Sequence, residues 1–272
     1  MPKRPEPVGD TRHVADPKDV LGLGSCADDR RGSNAAARMV PECRARFNQD
    51  ANVPAKGLVT MELFHISGSS SFAAHCALEE VGCGYELVAV DPKDRSRPPD
   101  LRDVNPLGVV PALRDGTVCV YETGAVLMYL ADRYPESRLA PASGDRERGE
   151  WYRWMVWISN TFHPAWKGVF VPARVTTDET GHDGVRARSR EALNDAGAYL
   201  ERELVGKDWC LGENFSTADL YAYMLVGWAN YFPDLPIGGP VVSAHFARVG
   251  DRPCVARVRE AENLDERLLR RG

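Results

Sequence analysis

The sequence predicts an α/β domain followed by an all-helical domain, and three observations carry that prediction. Residues 61–135 read as strand, helix, strand and then hairpin, helix. A run rich in Pro, Ser, Ala and Gly at 136–144 marks a linker. From 145 to 272 only helical patterns are found, led by Trp151, Trp154, Ile158 and Phe162 at three- and four-residue steps. A chain of 272 residues is long enough for two ordinary domains.

Residues 1–60 mix Pro, Arg, Asp, Gly and Ala without a 2.0 or 3.6 apolar period, and Phe47 is their only aromatic residue, so disorder is expected there. Leu21-Gly22-Leu23-Gly24-Ser25-Cys26-Ala27 half-matches a dinucleotide fingerprint, but Pro17 and several charges stand where its strand should be. Met61 opens the patterned body, so 1–60 reads either as an extension or as a misassigned start.

Residues 61–66 read as a strand, and Gly68 with three serines forms a loop into a helix over 72–81. The mainly apolar run 85–90 is expected to be a strand buried on both faces. Residues 91–102 are rich in Pro and charge, hence a surface loop with one helical turn. Runs at 111–113 and 117–121 flank Arg114-Asp115-Gly116, a hairpin signal. A helix over 122–133 places Val126, Leu127 and Leu130 on one side and stops at Tyr134-Pro135. That order is the thioredoxin-like one, a mixed sheet with helices on its faces. Beyond the linker, 146–162 carries Trp151, Trp154, Ile158 and Phe162 at helical spacing, and 184–204 continues more weakly. Ser216-Thr217-Ala218-Asp219 reads as a capping box for a buried helix over 220–228, with Phe215 placed to staple onto Leu220.

Composition excludes several function classes. Net charge is −5, and since 1–60 hold ten Lys/Arg and eight Asp/Glu, the remainder carries 24 against 31. Such a body has no footprint for nucleic acid. No apolar run is long enough to cross a bilayer. The seven cysteines include no Cys-x-x-Cys pair, so free thiols in a reducing cytoplasm are expected. Cys76 and Cys83 share one helical face, which argues for packing. No His, Cys, Asp and Glu set has metal-ligand spacing and there is no Gly-x-Ser-x-Gly elbow, so no metal is expected and hydrolase readings lack support.

The chemistry concentrates in Asn105-Pro106-Leu107-Gly108-Val109-Val110-Pro111-Ala112-Leu113 and in Glu122-Thr123-Gly124. Pro111 cannot donate to a ladder, and a cis Val110–Pro111 bond would leave the Val110 backbone open to an extended peptide. The helix start at Glu122-Thr123 suits a carboxylate. Together the two can hold a small peptide.

With the 61–71 segment upstream and Glu213 to Asp219 downstream, these residues resemble the cytosolic glutathione transferase family, in pattern most similar to its bacterial beta class. The resemblance runs from Met61 to the C-terminus. It implies a thioredoxin-like domain plus an all-α domain, glutathione as co-substrate, a small hydrophobic electrophile and a cytoplasmic homodimer acting in detoxification. Glutathione reacts as a thiolate, and a free thiol near pKa 8.5 is only about 3% ionised at pH 7. A helix N-terminus and a hydrogen bond to sulfur together lower that pKa by about one to three units.

Laid on the beta-class pattern Gly-Ser-Cys-Ser-x-x-x-His, Gly68 to His75 puts Ser70 at the cysteine position. Serine forms no mixed disulfide but donates to a thiolate, as in the theta, phi and zeta classes. Ser69 and Ser71 remain candidates beside it, and the three also suit helix capping. The resemblance further assigns Val110, before Pro111, to the cysteinyl backbone, Glu122 and Thr123 to the γ-glutamyl ammonium and carboxylate, and Arg95, or alternatively Lys93, to the peptide. His163 corresponds to a beta-class histidine facing the cleft; as a residue it reads equally as a hydrogen-bonded histidine at a kink before Pro164. His75 reads as a satisfied core or interdomain histidine and His65 receives no role. Phe162, Trp166, Val169, Phe170, Trp228, Tyr231 and Phe232 are candidate linings for an apolar electrophile site between the domains. A glutathione-dependent reductase or isomerase, and a non-catalytic ligand carrier, are the alternatives.

Overall fold

The computed structural model describes residues 61–92 and 99–264. The expectations for 1–60, and for Lys93 and Arg95, lie outside the described residues. Four strands, β1 (Met61–His65), β2 (Tyr85–Ala89), β3 (Ala112–Asp115) and β4 (Val118–Tyr121), form one sheet in the order β2-β1-β3-β4. β1 pairs parallel with β2 and antiparallel with β3, and β4 closes the hairpin. The turn falls at Gly116, whose φ of +58° lies in the region glycine enters without strain.

The central strands bury both faces. Along β1, Leu63 joins the main core while Phe64 joins a smaller cluster with Ile66, Leu101 and Ala112, as the two-residue period requires. Helices α1 (Phe72–Val81) and α3 (Thr123–Arg133) contribute to the main core, and the short α2 (Pro99–Val104) covers the smaller cluster. β2 corrects the expectation of burial on both faces. As an edge strand it leaves Glu86 and Ala89 exposed and Leu87 and Val88 half-buried.

The second half is helical: α4 (Glu147–Trp157), α5 (His163–Phe170), α6 (His182–Glu203), α7 (Thr217–Gly227), α8 (Pro240–Gly250) and α9 (Pro253–Ala261). The single helix expected over 146–162 is instead α4 widening into a π-turn at Ile158–Phe162 and then continuing as α5. Pro164, at the start of α5, lacks the N–H that regular winding would direct back one turn, and a wide turn accommodates it.

All of α7 is buried, and the expected capping box is present. Ser216 Oγ accepts from the Ala218 N–H at 3.3 Å, while Asp219 accepts from the Ser216 N–H at 2.8 Å. The Phe215 ring lies against Trp209, with the Arg252 guanidinium 3.6 Å from its centroid. α1 packs against both α7 and α9, and its Ala73, Ala74 and Ala77 are fully buried. The helical half therefore sits directly behind the loop that carries the serines. Among the described residues, no helix is long and apolar enough to cross a membrane.

Candidate active site

The three serines after β1 have different surroundings. Ser71 Oγ donates to the Ile66 carbonyl at 3.1 Å and receives the Ile66 N–H at 3.2 Å. Ser69 Oγ lies 3.0 Å from Ser71 Oγ, and both residues are buried. These two hydroxyls fold the loop. Ser69 and Ser70 both line the cleft, and Ser70, the half-buried one, donates through Oγ to the Val110 carbonyl at 2.9 Å.

The same loop is tied from behind by the C-terminal end of the helical half. Glu262 accepts the Gly68 N–H at 2.8 Å on its carboxylate and the Ser67 hydroxyl at 2.6 Å on its carbonyl. Trp228 Nε1 donates to the Gly68 carbonyl at 3.1 Å. Glu262 also meets His75 Nδ1 at 2.8 Å, and His75 Nε2 meets the Tyr85 hydroxyl at 3.0 Å. His75 is thus a buried histidine bridging the two halves, away from the cleft, as expected. Burial lowers the pKa of His65 beside it.

The Val110–Pro111 bond is cis. The turn before it is closed by buried Asn105, whose Nδ2 donates to the Val109 carbonyl at 2.7 Å and whose Oδ1 accepts the Leu107 N–H at 3.0 Å. At the start of α3, Glu122 is exposed and holds φ at +72°, rare for a residue with a side chain. Its carbonyl accepts the first helical bond, from the Val126 N–H at 2.9 Å. The N–H groups of Thr123, Gly124 and Ala125 therefore precede that bond, and Gly124 and Ala125 line the cleft. Thr123 is buried and its hydroxyl donates to the Ser70 carbonyl at 3.1 Å. Its side chain orders the serine loop.

Ser70, Val110, Glu122 and His163 all line one cleft of about 680 Å³. His163 Nδ1 lies 2.8 Å from the Tyr221 hydroxyl, and its ring packs edge-on against Trp228 at 5.3 Å. Burial pushes its pKa down to about 4, so the imidazole is neutral at pH 7. Trp166, Phe170 and Trp228 form the aromatic wall. Phe162 and Val169 do not line it. Phe162 is fully buried against Trp157 and Val169 belongs to the core, because the π-turn resets which face of the helix meets the cleft. Phe232 stands behind Trp166 and Phe170, and Tyr231 lines a separate cavity of about 20 Å³ beside Phe72.

Folding also brings Cys210, Asp219 and His245 within 4.8 Å of one another. Hydrogen bonds already occupy both carboxylate oxygens. Asp219 Oδ1 takes the Cys210 N–H and His245 Nε2, and Oδ2 takes the Ser216 N–H and hydroxyl. The cluster acts as an extension of the α7 cap.

Family models for the glutathione S-transferase N-terminal and C-terminal domains match residues 59–132 and 183–248. The glutathione S-transferase GstA of Escherichia coli O157:H7 is 32% identical over 209 residues, covering 75% of this chain and all of that one. The chain belongs to the glutathione S-transferase family. Among solved structures of that family, a sphingomonad enzyme complexed with glutathione is 35% identical with a TM-score of 0.64. A beta-class enzyme of Sphingomonas chungbukensis is 32% identical with a TM-score of 0.65. Each covers 75% of this chain and all of its own length.

Within this family architecture, two groups of cleft-shaping residues escaped sequence reasoning, whereas Asn105 belongs to the turn motif that the sequence singled out. Glu262 carried no signal, since its partners Ser67 and Gly68 lie more than 190 residues away. Lys167 and Arg174 line the cleft beside the aromatic wall, Lys167 at helical spacing from His163.

Proposed function

We propose that the chain conjugates glutathione to small hydrophobic electrophiles, with Ser70 holding the sulfur as a thiolate. The observation that carries the reading is the position of the Ser70 hydroxyl. It is the half-exposed member of the three serines, it lines the cleft, and it lies 2.9 Å from the carbonyl preceding the cis-proline. Val110 then offers its backbone to the cysteinyl unit of the peptide, in the manner of an edge strand. On binding, the peptide N–H takes the Val110 carbonyl and the Ser70 hydroxyl turns to the sulfur. Glu122 receives the γ-glutamyl ammonium, and the free N–H groups at the α3 start receive its carboxylate. The thiol proton leaves to water; sulfur bonds to the electrophilic carbon, and the leaving group departs with its electron pair. Neutral His163 supplies a polar edge on the opposite wall. The reading includes a cytoplasmic homodimer, supported by exposed Val118 and Tyr121 on β4 and Tyr152 and Val156 on α4.

The test is an ultraviolet titration of the glutathione thiolate bound to the chain and to its Ser70→Ala variant. Expected is a bound thiol ionising well below its free pKa, raised by about one to two units in the variant. Glutathione that binds with unchanged ionisation in both proteins would leave a carrier rather than an enzyme.

A further inference from the structure

The cleft wall opposite Ser70 carries charge that a neutral hydrophobic substrate does not call for. Along α5, His163, Trp166, Lys167 and Phe170 recur at helical spacing and line the cleft, and Arg174, on the short turn Pro172–Arg174 that follows, lines it too. One stripe of this segment therefore faces the ligand. Lys167 and Arg174 are both exposed, and among the described residues neither has a carboxylate partner. Among other arginines of the helical half, Arg148 pairs with Asp132, Arg153 with Glu203 and Arg252 with Glu80. Among the described residues, the one acidic residue lining the cleft is Glu122, at the α3 start. His163 is neutral at pH 7 and offsets nothing. The half of the cleft beyond Ser70 thus joins three aromatic rings to two unneutralised cations. A concave surface lined by one sign of charge focuses its field on an oppositely charged ligand.

We infer that the second substrate is an anionic aromatic electrophile, its ring against Trp166, Phe170 and Trp228 and its carboxylate or sulfonate received by Lys167 and Arg174. The inference rests on the transferase reading above and narrows its substrate class. The ring supplies apolar burial. The cations distinguish an acid from its ester, because removing them costs only the charged ligand its partner.

The test compares 4-chloro-3-nitrobenzoate with its methyl ester. In either case glutathione sulfur bonds to the chlorine-bearing carbon and chloride leaves with the bonding pair. Each kcat/KM is divided by the uncatalysed rate constant, which removes the difference in intrinsic reactivity. The full chain is expected to favour the acid by about tenfold or more. Lys167→Gln with Arg174→Gln should abolish that preference, change the ester by less than about twofold and leave the KM for glutathione unchanged. The charge-preserving pair Lys167→Arg with Arg174→Lys should retain most of the preference. Acid and ester falling together, or an acid preference untouched by the Gln pair, overturns the inference while the transferase reading stands. A rise in the glutathione KM alone also overturns it, by assigning the cations to the tripeptide's own glycine carboxylate. Failure to conjugate either compound removes the transferase reading and this inference with it.

Discussion

The two walls of the cleft are built from different materials. On the Ser70 side the groups offered are mostly main chain: the Val110 backbone beside a cis-proline and the unpaired N–H groups at the start of α3. On the α5 side they are side chains, His163, Trp166, Lys167 and Phe170, carried on one helical stripe. Main-chain groups are fixed by turns and helix ends, whatever the neighbouring side chains are. A side-chain wall changes with each substitution. The first wall suits a constant ligand, and the second suits one that differs from enzyme to enzyme.

The widest test of the α5 wall is its response to acid. His163 has a folded pKa of about 4, below the ordinary 6.5, so the unfolded chain binds its proton first as pH falls. Its contribution is complete above about pH 6.5 and is lost on descending towards pH 4. Between pH 7 and pH 5 the parent should lose about 2 kcal/mol of unfolding free energy that His163→Asn does not lose. Urea midpoints at the two pH values check this, and the difference between the proteins cancels other titrating groups. Equal losses would place His163 outside the buried wall.

A pair of glycine substitutions separates the walls directly. A Cβ at Gly168 on α5 would fall 2.0 Å from Ser189 Oγ and 3.1 Å from its Cβ, so Gly168→Ala pushes α5 off α6. It should cost about 1–3 kcal/mol and raise the KM for the electrophile, with the KM for glutathione nearly unchanged. At Gly108, φ is +64° and the added Cβ would meet the Arg102 guanidinium at 3.1 Å. Gly108→Ala should cost about 1–2 kcal/mol and raise the KM for glutathione instead. Both variants shifting the same KM would break the division between the walls.

The smallest effect expected concerns Glu122, whose φ of +72° stores strain at the head of α3. Glu122→Gly should raise stability by about 1 kcal/mol while weakening glutathione binding several-fold, read by thermal unfolding and by the KM for glutathione. Gain without loss would mean that the strain serves no ligand.

Legibility in the sequence follows the same division. The serine loop, the proline turn and the α3 start could be read because each rests on a local rule: a missing N–H, a helix terminus, a capping pattern. Lys167 and Arg174 could not, because which face of α5 meets the cleft depends on the π-turn at Ile158–Phe162, and the same turn removes Phe162 and Val169 from the wall. β2 was misread for a related reason. Its apolar run does not say whether a further strand pairs beyond it, and among the described residues none does.

By itself the sequence determined the order of elements in the first domain, the proline turn, the α7 cap and the neighbourhood of the serines, all consequences of interactions within a few residues. Only the tertiary structure decided which serine hydroxyl meets the Val110 carbonyl, that Glu262 holds Gly68 from behind, and that two cations flank the aromatic wall. Those outcomes depend on packing between residues tens to hundreds of positions apart, where a displacement of one ångström or one helical step exchanges a cleft residue for a core residue.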